Sequence, residues 1–118
     1  MKKVSEFLIG AKKIIQDPAN WTQGWFAKNE QGGKVGSNSE RAVCFCSLGA
    51  LERMDGRELP INKYDPLTFE PNLSRFAQDL LEGVMGGVAV EDFNDSHTHE
   101  EVMMKWDEAI LKAKELES

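Results

Sequence analysis

The sequence predicts a mainly α fold, a compact four-helix domain, and three observations carry that expectation. Apolar residues recur at helical spacing in three stretches, within Val4–Ile15, Thr68–Val84 and Val102–Ala113. A fourth stretch, Ser37 to Gly56, holds an almost unbroken apolar run from Ala42 to Leu51. A helix apolar on nearly every side must be surrounded by other elements, so residues 37–55 are expected to form a buried central helix. The chain has 118 residues, 41% of them apolar and 29% charged. That size and composition suit a single globular domain over 1–118, able to bury a core without staples.

Taken in order, Val4, Phe7, Leu8, Ala11, Ile14 and Ile15 fall on one helical face with lysines opposite. Asp17-Pro18 ends this helix, because the residue before a proline is pushed out of the helical region. Trp21, Trp25 and Phe26 then lead into Gln31-Gly32-Gly33 and Val35. Residues 21–36 therefore read as a small aromatic hairpin with the glycines at its tip. Those glycines lack the Gly-Lys-Ser/Thr ending and the buried strand of a phosphate-binding loop. In the central stretch, Ser37 and Glu40 have the spacing of a capping box, and Asp55-Gly56 supplies a stop.

Arg57 to Asp65 lacks periodicity and reads as a loop. Leu73, Phe76, Ala77, Leu80, Leu81 and Val84 mark the inward face of the third helix, with Pro71 in its first turn and Gly86-Gly87 after its end. Val88-Ala89-Val90 reads as an extended piece near 88–93 that could pair with the strand at Val35. Glu91 to His97 reads as a polar turn. Thr98 and Glu101 form a second capping box, opening a last helix with Val102, Met103, Trp106, Ala109, Ile110 and Ala113 inward.

Net charge is −6. Lys2, Lys3, Lys12 and Lys13 against Glu6 leave residues 1–16 at +3, so the remainder carries −9. Such an acidic body argues against direct nucleic-acid binding, which needs clustered Lys and Arg. It suits a basic protein surface, where opposite charge speeds encounter. The longest apolar run falls well short of the roughly 20 residues of a membrane span, and Glu6 and Lys12-Lys13 interrupt any signal-peptide core. A cytoplasmic protein off the membrane is expected, with self-association left open. The basic first helix could also lie on a partner, but packing on the core is the favoured reading.

Three blocks together carry a resemblance: Trp21-Thr22-Gln23-Gly24; Arg41-Ala42 with Phe45-Cys46-Ser47-Leu48-Gly49-Ala50-Leu51; and Phe93-Asn94-Asp95 with Thr98, Glu101-Val102 and Ala109-Ile110. The set resembles a family of small proteins of unknown function found in phages and bacteria. Phenylalanines Phe45 and Phe93 stand before the cysteine and before Asn-Asp, where the family has an aromatic and often a tryptophan. Cys44 is not part of the pattern. The resemblance implies a phage or prophage accessory protein and brings no established activity; taken with the small size and acidic charge, it leads to the expectation of an unidentified host protein as partner, in host cytoplasm if the protein is phage-encoded.

The polar residues of these blocks admit several chemistries. Structurally, Arg41 could pair with Asp95, Gly49 could let another helix approach closely, and Asn94 and Asp95 could accept backbone N–H groups. As a catalytic set, Cys46 would be the nucleophile, His97 or His99 the base, and Asp95 or Asn94 the orienter. That set needs an exposed Cys46 with a depressed pKa, whereas its apolar neighbours predict burial. Cys44 and Cys46, two apart on the expected helix, point apart and read as buried thiols. Zinc on Cys46 or Cys44 with His97, His99 and a carboxylate lacks the usual pair spacings, so no metal and no cofactor are expected. His97 and His99 should face solvent. The last possibility is a binding pocket of Trp21, Trp25, Arg41, Asn94 and Asp95 for a small nucleotide-like molecule, or a small hydrolase built there. The reading taken is a non-enzymatic protein that binds a host protein through its acidic surface.

Overall fold

A computed structural model describes residues 3–58 and 73–118. The first helix, α1 (Val4–Ile15), buries Phe7, Leu8, Ala11 and Ile15, with Val4 and Ile14 packed beside them. The periodic face is the buried face. The Asp17 carboxylate accepts the Ala19 N–H at 2.9 Å and starts a 3₁₀ turn over Pro18–Asn20, which directs the chain towards Trp21.

The expected hairpin is present as β1 (Ala27–Lys28) and β2 (Lys34–Val35). Its turn is set by Asn29, whose Oδ1 accepts from the N–H groups of Gln31 (3.0 Å) and Gly33 (2.8 Å). Gly32 sits at φ +80°, a left-handed conformation that favours glycine. A third strand, β3 (Cys44–Phe45), lies on the other side of β1, giving an antiparallel sheet in the order β2-β1-β3 with Ala27 opposite both Val35 and Phe45.

That third strand corrects the expected central helix. The apolar run at 42–51 is a strand followed by a helix, α2 (Ser47–Glu58). An apolar run without a period is compatible with a buried strand or a buried helix, and the free edge of β1 decides for a strand here. Ser37 does not cap: its hydroxyl donates to Glu52 at 2.7 Å, and residues 37–43 make turns. Cys46 performs the capping instead, its Sγ accepting the Gly49 N–H at 3.3 Å and its carbonyl the Ala50 N–H at 2.8 Å. Asp55-Gly56 does not stop the helix, which continues through Arg57 and Glu58. Nor is α2 surrounded, since Glu52 is exposed while the other side packs on α1.

The remaining helices are α3 (Leu73–Val84), α4 (Val90–Ser96) and α5 (His99–Glu117), so five α-helices stand among the described residues where four were expected. Residues 59–72, including the expected start of the third helix and Pro71, lie outside the described residues. Leu73, Ala77 and Leu81 are buried on α3, but Phe76, expected inward, is 54% exposed. It lies about 100° round the helix from the centre of the buried stripe. Gly86 and Gly87 take φ of +76° and +86° and end that helical region. Val90 and the expected polar turn then become α4, and β2 pairs with β1, not with Val88–Val90. Thr98 opens α5 with both halves of its capping box formed, as predicted. α1 and α3 both pack on α2 and α5, around a core that includes Phe7, Leu51, Leu81, Val102 and Trp106.

Candidate functional site

Asn94, on the short helix α4, is fully buried, and its side chain ties three parts of the chain together. Its Oδ1 accepts from Trp21 Nε1 (2.7 Å), Ser47 N (2.9 Å) and Ser47 Oγ (2.9 Å). Its Nδ2 donates to the Thr22 carbonyl (3.0 Å) and the Asp95 carboxylate (3.2 Å). Ser47 Oγ in turn accepts from Trp106 Nε1 at 3.1 Å, which carries the network to the centre of α5. A buried amide is tolerated only when its donors and acceptors are matched, and every one here has a partner.

The same network straps the segment 21–24 to α4. Gln23 Nε2 donates to the carbonyls of Asn94 (2.9 Å) and His97 (3.0 Å), and Gly24 N–H donates to the Asp95 carboxylate (2.9 Å). Just outside this strap a cleft of about 160 Å³ opens, lined by Gly24, Trp25, Phe26, Cys46, Glu91 and Asp95. Three predicted site residues, Trp25, Cys46 and Asp95, meet there. Trp25 is 41% exposed, with the Lys34 ammonium 4.9 Å from its ring centre. Glu91 and Asp95 stand one turn apart on α4, and Glu91 Oε1 is buried with no hydrogen-bond partner among the described residues.

The other predicted residues lie elsewhere. Trp21 is held inside the Asn94 network. Arg41 is exposed and lines a different cleft with Asn29, Glu30, Gln31, Glu40 and Val43, and no ion pair joins it to Asp95 among the described residues. His97 stacks on Phe93 with centroids 3.6 Å apart, and its Nδ1 lies 2.9 Å from the Phe93 carbonyl. His99 Nε2 lies 2.7 Å from the Ile15 carbonyl and its ring meets the edge of Trp21. Neither histidine is fully solvent-facing as expected; both are half-buried in local contacts. Among the described residues, no group of three His, Cys, Asp or Glu side chains could hold a metal ion.

A model of a family of unknown function, DUF6197, matches residues 1–112. The chain belongs to DUF6197. No curated protein and no solved structure matches it. DUF6197 is a family of unknown function, so membership assigns no chemistry to these residues.

Their own chemistry does not favour a nucleophile. Burial pushes the Cys46 thiol pKa up; N–H donation from Gly49 and Leu48 opposes this, and the charges of Asp95 and Glu52 add to it. A thiol held protonated is a poor nucleophile. What the cleft offers is an indole, a narrow apolar floor and two carboxylates, a combination that suits a cationic group. Sequence reasoning missed Ser47, Gln23 and Glu91 as members of the site. Ser47 and Gln23 sit within the blocks that carried the resemblance; Glu91 had no local signal beyond its place one turn before Asp95.

Proposed function

We propose that this DUF6197 protein is a non-enzymatic accessory protein of the phage or prophage type, which works in the cytoplasm by binding a basic surface of a host protein. The observation that carries the reading is one of charge. From Phe76 to Met104 the chain holds Asp79, Glu82, Glu91, Asp92, Asp95, Glu100 and Glu101 and no lysine or arginine. Two of these carboxylates, Glu91 and Asp95, line the Trp25 cleft, and Glu91 Oε1 has no hydrogen-bond partner among the described residues. A nucleotide-like ligand or a hydrolase centred on Trp21, Arg41, Asn94 and Asp95 draws less support, because Trp21 and Asn94 are committed to each other and Arg41 lies at another cleft.

The test is calorimetric titration with an arginine-rich peptide and a glutamate-rich control of equal length. The expected result is arginine-peptide binding that weakens about tenfold in Asp92→Lys/Glu100→Lys, both exposed and outside the Asn94 network, and that falls with salt. Equal affinity for the two peptides, or indifference to the double charge reversal, would refute the reading.

A further inference from the structure

On the opposite chemical footing lies the cleft between α1 and α2. Its volume is about 550 Å³, within the range of small-molecule sites and larger than the Trp25 cleft. Ile14, Val43, Phe45 and Met54 give it apolar walls, and among the described residues the only charged ones lining it are Lys13 and Arg53. In a chain of net charge −6, a cleft whose lining, among the described residues, holds two cations and no carboxylate stands apart. Arg53 is also held in place. Its guanidinium lies 5.4 Å from the Phe45 ring centre, and Nη1 donates to the carbonyls of Ser37 (3.1 Å) and Ser39 (2.9 Å). A guanidinium has three further N–H donors on Nε and Nη2, in a planar fork that matches an anionic oxygen pair. A cation fixed before binding loses little side-chain freedom when an anion arrives.

We infer that this cleft binds a small amphiphilic anion, a carboxylate or sulfonate-like head group on an apolar body. The head group lies between Arg53 and Lys13, and the body lies along Ile14, Val43, Phe45 and Met54. The site is separate from the Trp25 cleft, shares no residue with it, and takes ligands of opposite charge.

The experiment uses the full chain and 8-anilinonaphthalene-1-sulfonate as the probe, read by its fluorescence, with dodecanoate as competitor. Lys13→Glu and Val43→Asp are the variants, since both positions are exposed and neither should alter the melting temperature. Saturable one-to-one probe binding, displaced by dodecanoate and weakened about tenfold in each variant at unchanged melting temperature, supports the site. It is overturned by no saturable binding, by binding indifferent to both variants, or by equal displacement by dodecyltrimethylammonium. Displacement by an acidic decapeptide but not by dodecanoate also overturns it, pointing to a peptide groove in its place.

Discussion

Gly49 stands in the first turn of α2, and a side chain there has nowhere to go. A Cβ built on it would lie 1.9 Å from the Phe26 carbonyl oxygen, 2.8 Å from its carbon and 3.3 Å from its Cα. These are backbone atoms beside β1, so they cannot rotate aside as a side chain would. Gly49→Ala must move the chain at Phe26 away from the start of α2, which threatens the Cys46 N–H bond to the same Phe26 oxygen, now 3.1 Å. Overpacking of this kind costs about 1–3 kcal/mol, and a buried backbone group left without a partner costs about 1–3 kcal/mol more. Against this, replacing a helical glycine by alanine ordinarily gains about 1 kcal/mol. The net expectation is destabilisation of about 1–5 kcal/mol, a fall of roughly 4–20 °C in melting temperature for a domain of this size. Gly83→Ala on α3 is the matched control. Its Cβ would meet nothing within 4 Å, so it should hold or raise stability by up to about 1 kcal/mol. Urea titration followed by circular dichroism compares the two. If Gly49→Ala were as stable as Gly83→Ala, the close seating of α2 on the Phe26 backbone would be wrong.

Three further outcomes are expected. Asn94→Leu should cost about 3–5 kcal/mol, because it strands Trp21 Nε1, Ser47 N and the Thr22 carbonyl together. Thermal melting would show it, and a loss under about 1 kcal/mol would mean the network is not formed. Thr98→Ala should cost about 0.5–2 kcal/mol as a lost cap, measurable as a shifted urea midpoint. Cys46, raised in pKa by burial, favours the folded state while protonated. That contribution is present below the ordinary thiol pKa of 9.0 and is lost as pH rises above it towards the raised value. Iodoacetamide should accordingly label half-buried Cys44 before Cys46, as read by peptide mass spectrometry.

What the sequence showed and what it hid divide along the range of the interactions involved. α1, the hairpin tip at Gly32 and the Thr98–Glu101 cap are local, decided by residues within a turn or two of one another, and all three were legible. The boundary between β3 and α2 is not local. Nothing in Ala42–Leu51 says where strand ends and helix begins; the edge of β1, some twenty residues upstream, supplies the partner that makes Cys44 and Phe45 extended. α4 was hidden for a similar reason. Its seven residues are too few to form a helix alone, and its polar composition read as a turn. It is held as a helix because Val90 and Phe93 are buried and because Asn94 is gripped from Trp21, Thr22 and Ser47.

The candidate site follows the same rule. Asn94 and Trp21 were singled out for their chemistry, and they do come together, at 2.7 Å, but as a brace between distant segments. A residue type that can hydrogen-bond a ligand can equally hydrogen-bond the fold, and only the presence or absence of competing donors separates the two. Trp21, Ser47 and Thr22 occupy Asn94 on every side. The Trp25–Asp95 cleft is left as the place where this brace meets the surface, and the geometry of the brace explains why the cleft can be rigid. Gly24, one of its walls, is bonded to Asp95, another of its walls, which is bonded to Asn94. A binding surface whose walls are fixed by a buried network loses little entropy on engaging a partner. Trp21 and Asn94 therefore have their effect one layer beneath the surface on which binding is proposed, while Trp25 and Asp95 stand at that surface.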